Sequence, residues 1–200
     1  QRQMCIRDRD KLNKENGGDY GVTIVQPLTG GLVDKLNAQD GRYSLYLRGL
    51  LKGEKVEETR IVDCVTRGIN PYTNTDEFFD CAKNPDLRFI VSNTTEAGIE
   101  YKPNQNPDDF NGLTFPGRLT LFMKKRFDEG LGGFILLPCE LIDKNGDNLK
   151  ECILKYSVDW GYGGEFEKWI ETENHFTNTL VDRIVTGYPR DNAKEMEQSY

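Results

Sequence analysis

Three stretches of the chain concentrate side chains that can donate, accept or carry charge. Ser92-Asn93-Thr94-Thr95-Glu96-Ala97-Gly98 sets hydroxyls, an amide and a carboxylate directly behind a strand-like run. Those groups suit a ribose or another sugar, and a capped strand-to-loop turn uses the same residue types. Glu140-Leu-Ile-Asp143-Lys-Asn145-Gly146-Asp147 follows a second apolar run. Asn178-Thr-Leu-Val-Asp182-Arg183-Ile-Val places an acid beside an arginine between apolar residues. That pair reads as a buried ion pair at a domain junction, or as a guanidinium fork for a polar, anionic substrate.

Several familiar chemistries are excluded by spacing. Asp143, Asn145 and Asp147 match the first three ligand positions of a calcium loop. The required glycine is then Asn148, the closing glutamate is Leu154, and a strand instead of a helix precedes the loop, so calcium is rejected. Glu96 and Glu140 form a glycosidase acid pair only if folding sets their separation, which spacing does not fix. There is no G-x-S-x-G elbow, P-loop or G-x-G-x-x-G turn. The five cysteines, Cys5, Cys64, Cys81, Cys139 and Cys152, contain no C-x-x-C pair, and His175 is the only histidine. Reduced core thiols and no metal site are expected.

The 200 residues carry 26 Lys and Arg against 33 Asp and Glu, a net charge of −7, which argues against a basic nucleic-acid-binding face. With 36% hydrophobic residues the chain can build a core. Its longest fully apolar run is residues 134–137, far short of a membrane span. No leader pattern opens the sequence. The expectation is a soluble, cytoplasmic protein with no nucleic-acid or membrane partner.

The elements that must position these groups follow from periodicity. Residues 21–27 and 87–92 and the run 134–139 read as buried strands. Residues 43–48 and 56–65 flank Gly53 and suggest a hairpin. Asn74-Thr-Asp-Glu77 has capping-box spacing ahead of a short helix. Leu119, Phe122, Met123 and Phe127 recur at helical spacing, as do Leu149, Cys152, Ile153 and Tyr156, the second helix being capped by Asp147. Phe166, Trp169 and Ile170 begin another helix, and 181–185 is a last extended run. Residues 11–19 and 102–111 read as loops. Strands alternating with helices give an α/β fold, Rossmann-like, with a mainly parallel sheet flanked by helices. Ligands of such sheets bind at the carboxyl ends of the strands. That directs attention to residues 27–31, 92–98 and 140–146.

The motifs Arg88-Phe-Ile-Val-Ser-Asn-Thr-Thr-Glu-Ala-Gly-Ile99, Pro138-Cys-Glu-Leu-Ile-Asp-Lys-Asn-Gly-Asp147 and residues 178–191, with Gln39-Asp-Gly-Arg-Tyr43, occur in this order. Together they resemble the hexuronate-reducing branch of the mannitol dehydrogenase family of polyol-specific long-chain dehydrogenases. The resemblance runs from about Gly21 to the end of the chain. It implies that an NADH hydride reduces the ketone of D-tagaturonate to D-altronate, reversibly, with NAD as cofactor and a small sugar acid as substrate. The alternatives are a sister hexuronate or polyol enzyme of the same family, or a non-catalytic sugar- or nucleotide-binding module.

The resemblance also implies a fragment. Residues 1–9 look like an adapter scar, 10–190 like a partial NAD-binding domain lacking its first βα unit, and 191–200 like the start of a helical C-terminal domain. The family's catalytic lysine motif does not occur in the chain. Glu96 matches a family glutamate near the reacting centre, and Asp182 and Arg183, with Glu140, are assigned to the substrate. Where the polyol enzymes have an oxyanion-holding asparagine this chain has Leu141, so the resemblance implies either an oxyanion hole built differently or one in which Asn145 takes part. Thr29, Asn93, Thr94 and Thr95 are assigned to the cofactor. The turn at 28–31 carries neither the acid that binds a ribose 2′-hydroxyl nor an arginine for a 2′-phosphate.

Overall fold

The computed structural model describes residues 2–95 and 97–180. A helix, α1 (Arg2–Asn16), leads into strand β1 (Val22–Val25), which pairs in parallel with β4 (Val65–Ile69). Between them lie α2 (Val33–Ala38) and the antiparallel hairpin of β2 (Tyr43–Leu51) and β3 (Glu54–Val62). The hairpin turns at Lys52 and Gly53, with φ of 53° and 87°, the paired left-handed conformations that match the strands' twist. Helix α3 (Thr75–Ala82) then leads to β5 (Phe89–Ser92), α4 (Phe115–Asp128), β6 (Ile135–Pro138), α5 (Asn145–Asp159), α6 (Gly164–Glu173) and β7 (His175–Phe176). β5, β6 and β7 form a parallel sheet in that order, with Ser92 opposite Pro138 and Ile135 opposite His175.

The expected helices form where the apolar stripes lie. Leu149, Cys152, Ile153 and Tyr156 are all buried and meet Leu119, Phe122 and Met123 of α4 and Phe166 and Ile170 of α6. The capping box is present: Asn74 Oδ1 accepts from the Glu77 N–H at 3.2 Å and its amide reaches back to Glu77 Oε2 at 2.9 Å. Phe134 and Leu136, each 1% exposed, place β6 at the centre of the core.

Five expectations need correction. Residues 11–19 are largely helix, the C-terminal half of α1. Their polar sequence lacks an apolar stripe, but Lys11–Glu15 and Lys14–Asp10 are ion pairs one turn apart. The helix ends at Gly17, whose φ of 62° is the left-handed closure that glycine permits. The strand expected over 56–65 is two strands, β3 and β4, broken at Asp63 and Cys64. α5 begins at Asn145 behind Lys144, which has a φ of 50°, and Asp147 lies inside its first turn instead of capping it. Helix α2 and the two-residue β7 gave no periodic signal. β1 and β5 are not fully buried: Val25 is 37%, Phe89 42% and Val91 44% exposed. Among the described strands β1 pairs only with β4 and β5 only with β6, and the two edges line one open groove of about 2580 Å³. The expected run at 181–185 lies outside the described residues.

Candidate functional site

The parallel register of β5 and β6 brings two of the three polar stretches together at their carboxyl ends. Cys139 N–H donates to the Ser92 carbonyl at 2.7 Å, so residues 92–94 and 139–140 leave the sheet side by side. Glu140 is 2% exposed, and its carboxylate is held by three donors. Oε1 accepts from the Thr94 N–H and the Thr94 hydroxyl, both at 3.0 Å, and Oε2 from the Ser92 hydroxyl at 3.1 Å. A buried carboxylate needs such donors to offset the loss of water. Here they fix the backbone that presents Asn93 and Thr94 to the groove. Thr95 is exposed, and its carbonyl accepts from Gly98 N–H at 2.9 Å to close the turn.

Asn145 is fully buried one step further on. Its Nδ2 group lies 2.9 Å from the Pro138 carbonyl, 3.0 Å from that of Glu140 and 3.0 Å from that of Thr179. Its Oδ1 accepts from Gly146 N–H and Thr179 N–H, each at 2.9 Å. Two amide hydrogens facing three carbonyls are spent on the backbone, so in this arrangement Asn145 has none to offer a reacting oxygen. Asn178 completes the knot: its Oδ1 accepts from Asp147 N–H and its amide donates to Asp147 Oδ2, both at 3.1 Å. Residues 145–147 and 177–179 are thereby laced to the end of β6. Gly146 is the only residue type that fits, since a Cβ there would meet the Thr177 carbonyl oxygen at 2.5 Å.

The turn at 27–31 leaves β1 on the far side of the groove. Gln26 organises it: its amide donates to the carbonyls of Leu28 at 2.8 Å and Thr29 at 3.2 Å. Thr29 itself is exposed. Next to this turn stand residues that the motifs did not single out. The Tyr72 hydroxyl donates to the Pro27 carbonyl at 2.6 Å, and Arg118 Nη1 donates to that hydroxyl. Neither residue carried a signal in the sequence beyond being an aromatic and a cation.

With the groove and its carboxyl edge in place, likeness to other proteins becomes informative. Residues 9–199 match the family model described as the mannitol dehydrogenase Rossmann domain. The chain belongs to the mannitol dehydrogenase family. An altronate oxidoreductase from Cronobacter sakazakii is 44% identical over 195 residues, covering 95% of this chain and 40% of the relative. One from Shigella sonnei is 43% identical over 194 residues, covering 94% and 40%. The chain thus spans about 40% of the length of these curated relatives. Two solved structures share the fold. D-sorbitol dehydrogenase in substrate-free form superposes with a TM-score of 0.74 at 22% identity, covering 92% of this chain and 41% of that one. The Pseudomonas fluorescens mannitol 2-dehydrogenase ternary complex with NAD and D-mannitol gives 0.67 at 19%, covering 83% and 36%.

In this mannitol dehydrogenase family domain, then, Asn93, Thr94, Thr95, Glu140 and Asn145 stand at the carboxyl ends of β5 and β6, and Thr29 stands apart from them in the turn after β1. Glu96, Asp182 and Arg183 lie outside the described residues. Cys64, Cys81, Cys139 and Cys152 are buried and form no disulfide among the described residues. Burial pushes the thiols of Cys64, Cys81 and Cys152 up, away from nucleophilic use. Among the described residues no cluster of His, Cys, Asp and Glu is set to hold a metal, and no helix is long and apolar enough to cross a membrane.

Proposed function

We propose that the protein carrying this chain is an NAD(H)-dependent oxidoreductase that interconverts the ketone of D-tagaturonate with the alcohol of D-altronate. The observation that carries the reading is the carboxyl edge itself, where Glu140 locks Thr94 beside a groove that the β1 turn closes from the other side. The 44% identity to an altronate oxidoreductase supports the substrate class.

The donor set fits a dinucleotide. The exposed Thr29 hydroxyl, Asn93 and Thr94 offer the mixed donors and acceptors that ribose hydroxyls need. Phe110 and Arg118 add a flat face and a positive charge to the groove, with Tyr72 packed under the Arg118 guanidinium. When bound, the nicotinamide supplies or accepts the hydride. Every other task falls to the protein. Thr29, Asn93, Thr94 and Thr95 hold the cofactor, and Glu140, assigned to the substrate from the resemblance, is instead a buried positioning residue that keeps the Thr94 backbone in place. Glu96 serves at the reacting centre. Asp182 orients a substrate hydroxyl, and the Arg183 guanidinium grips polar oxygens of the sugar acid. Asn145 acts as a positioning residue, through the loops that it ties together.

The test is D-tagaturonate-dependent NADH oxidation by the whole protein, with D-fructuronate and D-fructose as competitors for kcat/KM. Asp182→Asn is expected to lower kcat/KM roughly 10- to 1,000-fold, the effect of losing one charged positioning contact. Near-normal kinetics with a collapsed Tm would make Asp182 and Arg183 a structural pair and remove both from the site. No turnover of any of the three sugars would favour a binding module.

A further inference from the structure

The turn after β1 carries no charge of its own, yet the structure brings charge to it from elsewhere. The acids that line the groove, Asp8, Asp19 and Asp86, stand on α1 and on the segments entering β1 and β5, away from the carboxyl edge. Beside the β1 turn the lining charges are Lys35 of α2 and Arg118 of α4, both cations. Arg118 is aimed and buttressed. Its guanidinium sits 5.0 Å from the centre of the Tyr72 ring and 5.9 Å from that of Phe110. Nη1 donates to the Tyr72 hydroxyl, which in turn donates to the carbonyl of Pro27, the residue that opens the turn. Among the described residues Arg118 makes no ion pair, and the only hydrogen bond of its side chain is this one through Nη1. Most of a five-donor planar fork is left for an anion.

In dinucleotide sites of this fold, the group beside the end of the second strand reads the ribose 2′ position. An acid there accepts the hydroxyl, and an arginine accommodates a phosphate. Resting on the dinucleotide reading above, we propose that Arg118 is a specificity-determining residue for the adenosine ribose. It admits a 2′-phosphate, so the site takes NADP(H) as well as NAD(H). Tyr72 is its positioning residue, tying the guanidinium to the turn. Lys35 adds a second, longer-range positive charge.

Binding of adenosine 2′,5′-bisphosphate and of 5′-AMP to the whole protein, measured by calorimetry, tests the proposal without turnover. The bisphosphate is expected to bind roughly 10-fold or more tightly, the usual effect of charge-assisted hydrogen bonds. In Arg118→Ala that advantage falls to about 2-fold or less, whatever the change in 5′-AMP binding itself. Tyr72→Phe, which removes only the hydroxyl, gives an intermediate loss. Should Arg118→Ala not fold, Tyr72→Phe and the fall of the wild-type preference with rising salt carry the test. A preference that is absent, or that survives in both variants, overturns the inference alone. If neither nucleotide binds, the dinucleotide reading fails, and this inference with it.

Discussion

Glu140 and Thr94 are 46 residues apart in sequence, yet one carboxylate oxygen of Glu140 accepts both the N–H and the hydroxyl of Thr94 at 3.0 Å. The contact joins the segments leaving β5 and β6 and sets the backbone of the candidate cofactor edge. Glu140→Gln keeps the shape but presents an amide to groups that are themselves donors. It is expected to cost about 1–3 kcal/mol and to speed exchange of the Thr94 amide, because a buried donor loses its acceptor. Glu140→Ala should cost more. Chemical denaturation with amide exchange by NMR checks both, and a wild-type exchange rate at Thr94 in Glu140→Gln would contradict the role.

Asn145 sits between two backbone segments, and its amide faces the carbonyls of Pro138 and Glu140 on one and of Thr179 on the other. Asn145→Asp would turn the donor into an acceptor facing those carbonyls and bury a charge. A loss of about 3 kcal/mol or more is expected, with Asn145→Ala close behind. If the residue only positions the loops, stability and kcat/KM fall together in the whole protein. A hundredfold loss of kcat at unchanged Tm would instead return Asn145 to the reacting oxygen.

The carboxyl edge was legible because strands and polar stretches alternate. The apolar triplet before Ser92 and the run before Glu140 are both period-free, as buried parallel strands are. The stripes of α4 and α5 were legible for the same reason. Helix α1 was not, since its docking uses Asp10 and Lys14 against the backbone of β3 and Asp63, contacts without periodicity. Nor was the role of Asn145, because Asn-Gly beside Asp147 has the composition of a turn or a loop ligand. Only the approach of residues 177–179 to β6 shows that the amide is already occupied. Arg118 was invisible for a related reason: its partner Tyr72 lies 46 residues away, on another turn.

The Asp10–Lys14 pair makes the docking of α1 depend on pH at both extremes. Burial raises the Asp10 carboxyl, but the hydrogen bonds from Lys14 and from Asp63 outweigh it, and the net shift is downward from 3.8. A depressed acid contributes stability that is present above its unfolded value and is lost as pH falls through the folded one. Lys14 is raised above 10.5, chiefly by its hydrogen bond to Asp10. Its contribution is full below that value and is lost as pH climbs past it. Circular-dichroism melts should therefore show α1 loosening below about pH 4 and above about pH 10.5. Asp10→Asn should flatten the acid limb. An unchanged acid limb in that variant would mean that other carboxylates govern it.

Arg126 is 3% exposed and makes no ion pair among the described residues. Its guanidinium donates to the carbonyls of Ala82, Asn84, Leu87 and Gly132, and its carbon centre lies 4.7 Å from the middle of the Phe134 ring. Burial lowers its pKa but leaves the group charged at any ordinary pH. The residue thus ties the turn that feeds β5 to the turn that feeds β6. Arg126→Met fills most of the volume but abandons four carbonyls, so a loss of about 3–5 kcal/mol is expected. Arg126→Lys, with fewer donors and no plane, should recover only part of it. A methionine variant within about 1 kcal/mol of wild type in urea titration would show that water replaces the guanidinium.

The unpaired edges of β1 and β5 make the last prediction. Each presents free backbone donors and acceptors to the groove, with Val25, Phe89 and Val91 partly exposed nearby. Such edges recruit further strands from other copies or from any extended peptide. This chain by itself is expected to self-associate at micromolar concentrations, visible as a mass above 22.9 kDa in light scattering. Charge on the strands opposes pairing, so Val25→Lys with Val91→Lys should shift the distribution towards monomer without unfolding the β6 core. Arg48→Gln on the outer hairpin, far from both edges, is the control and should leave the distribution as it was. Self-association that the double variant leaves untouched would place the sticky surface elsewhere, and a strictly monomeric wild type would show that the two edges already shield each other.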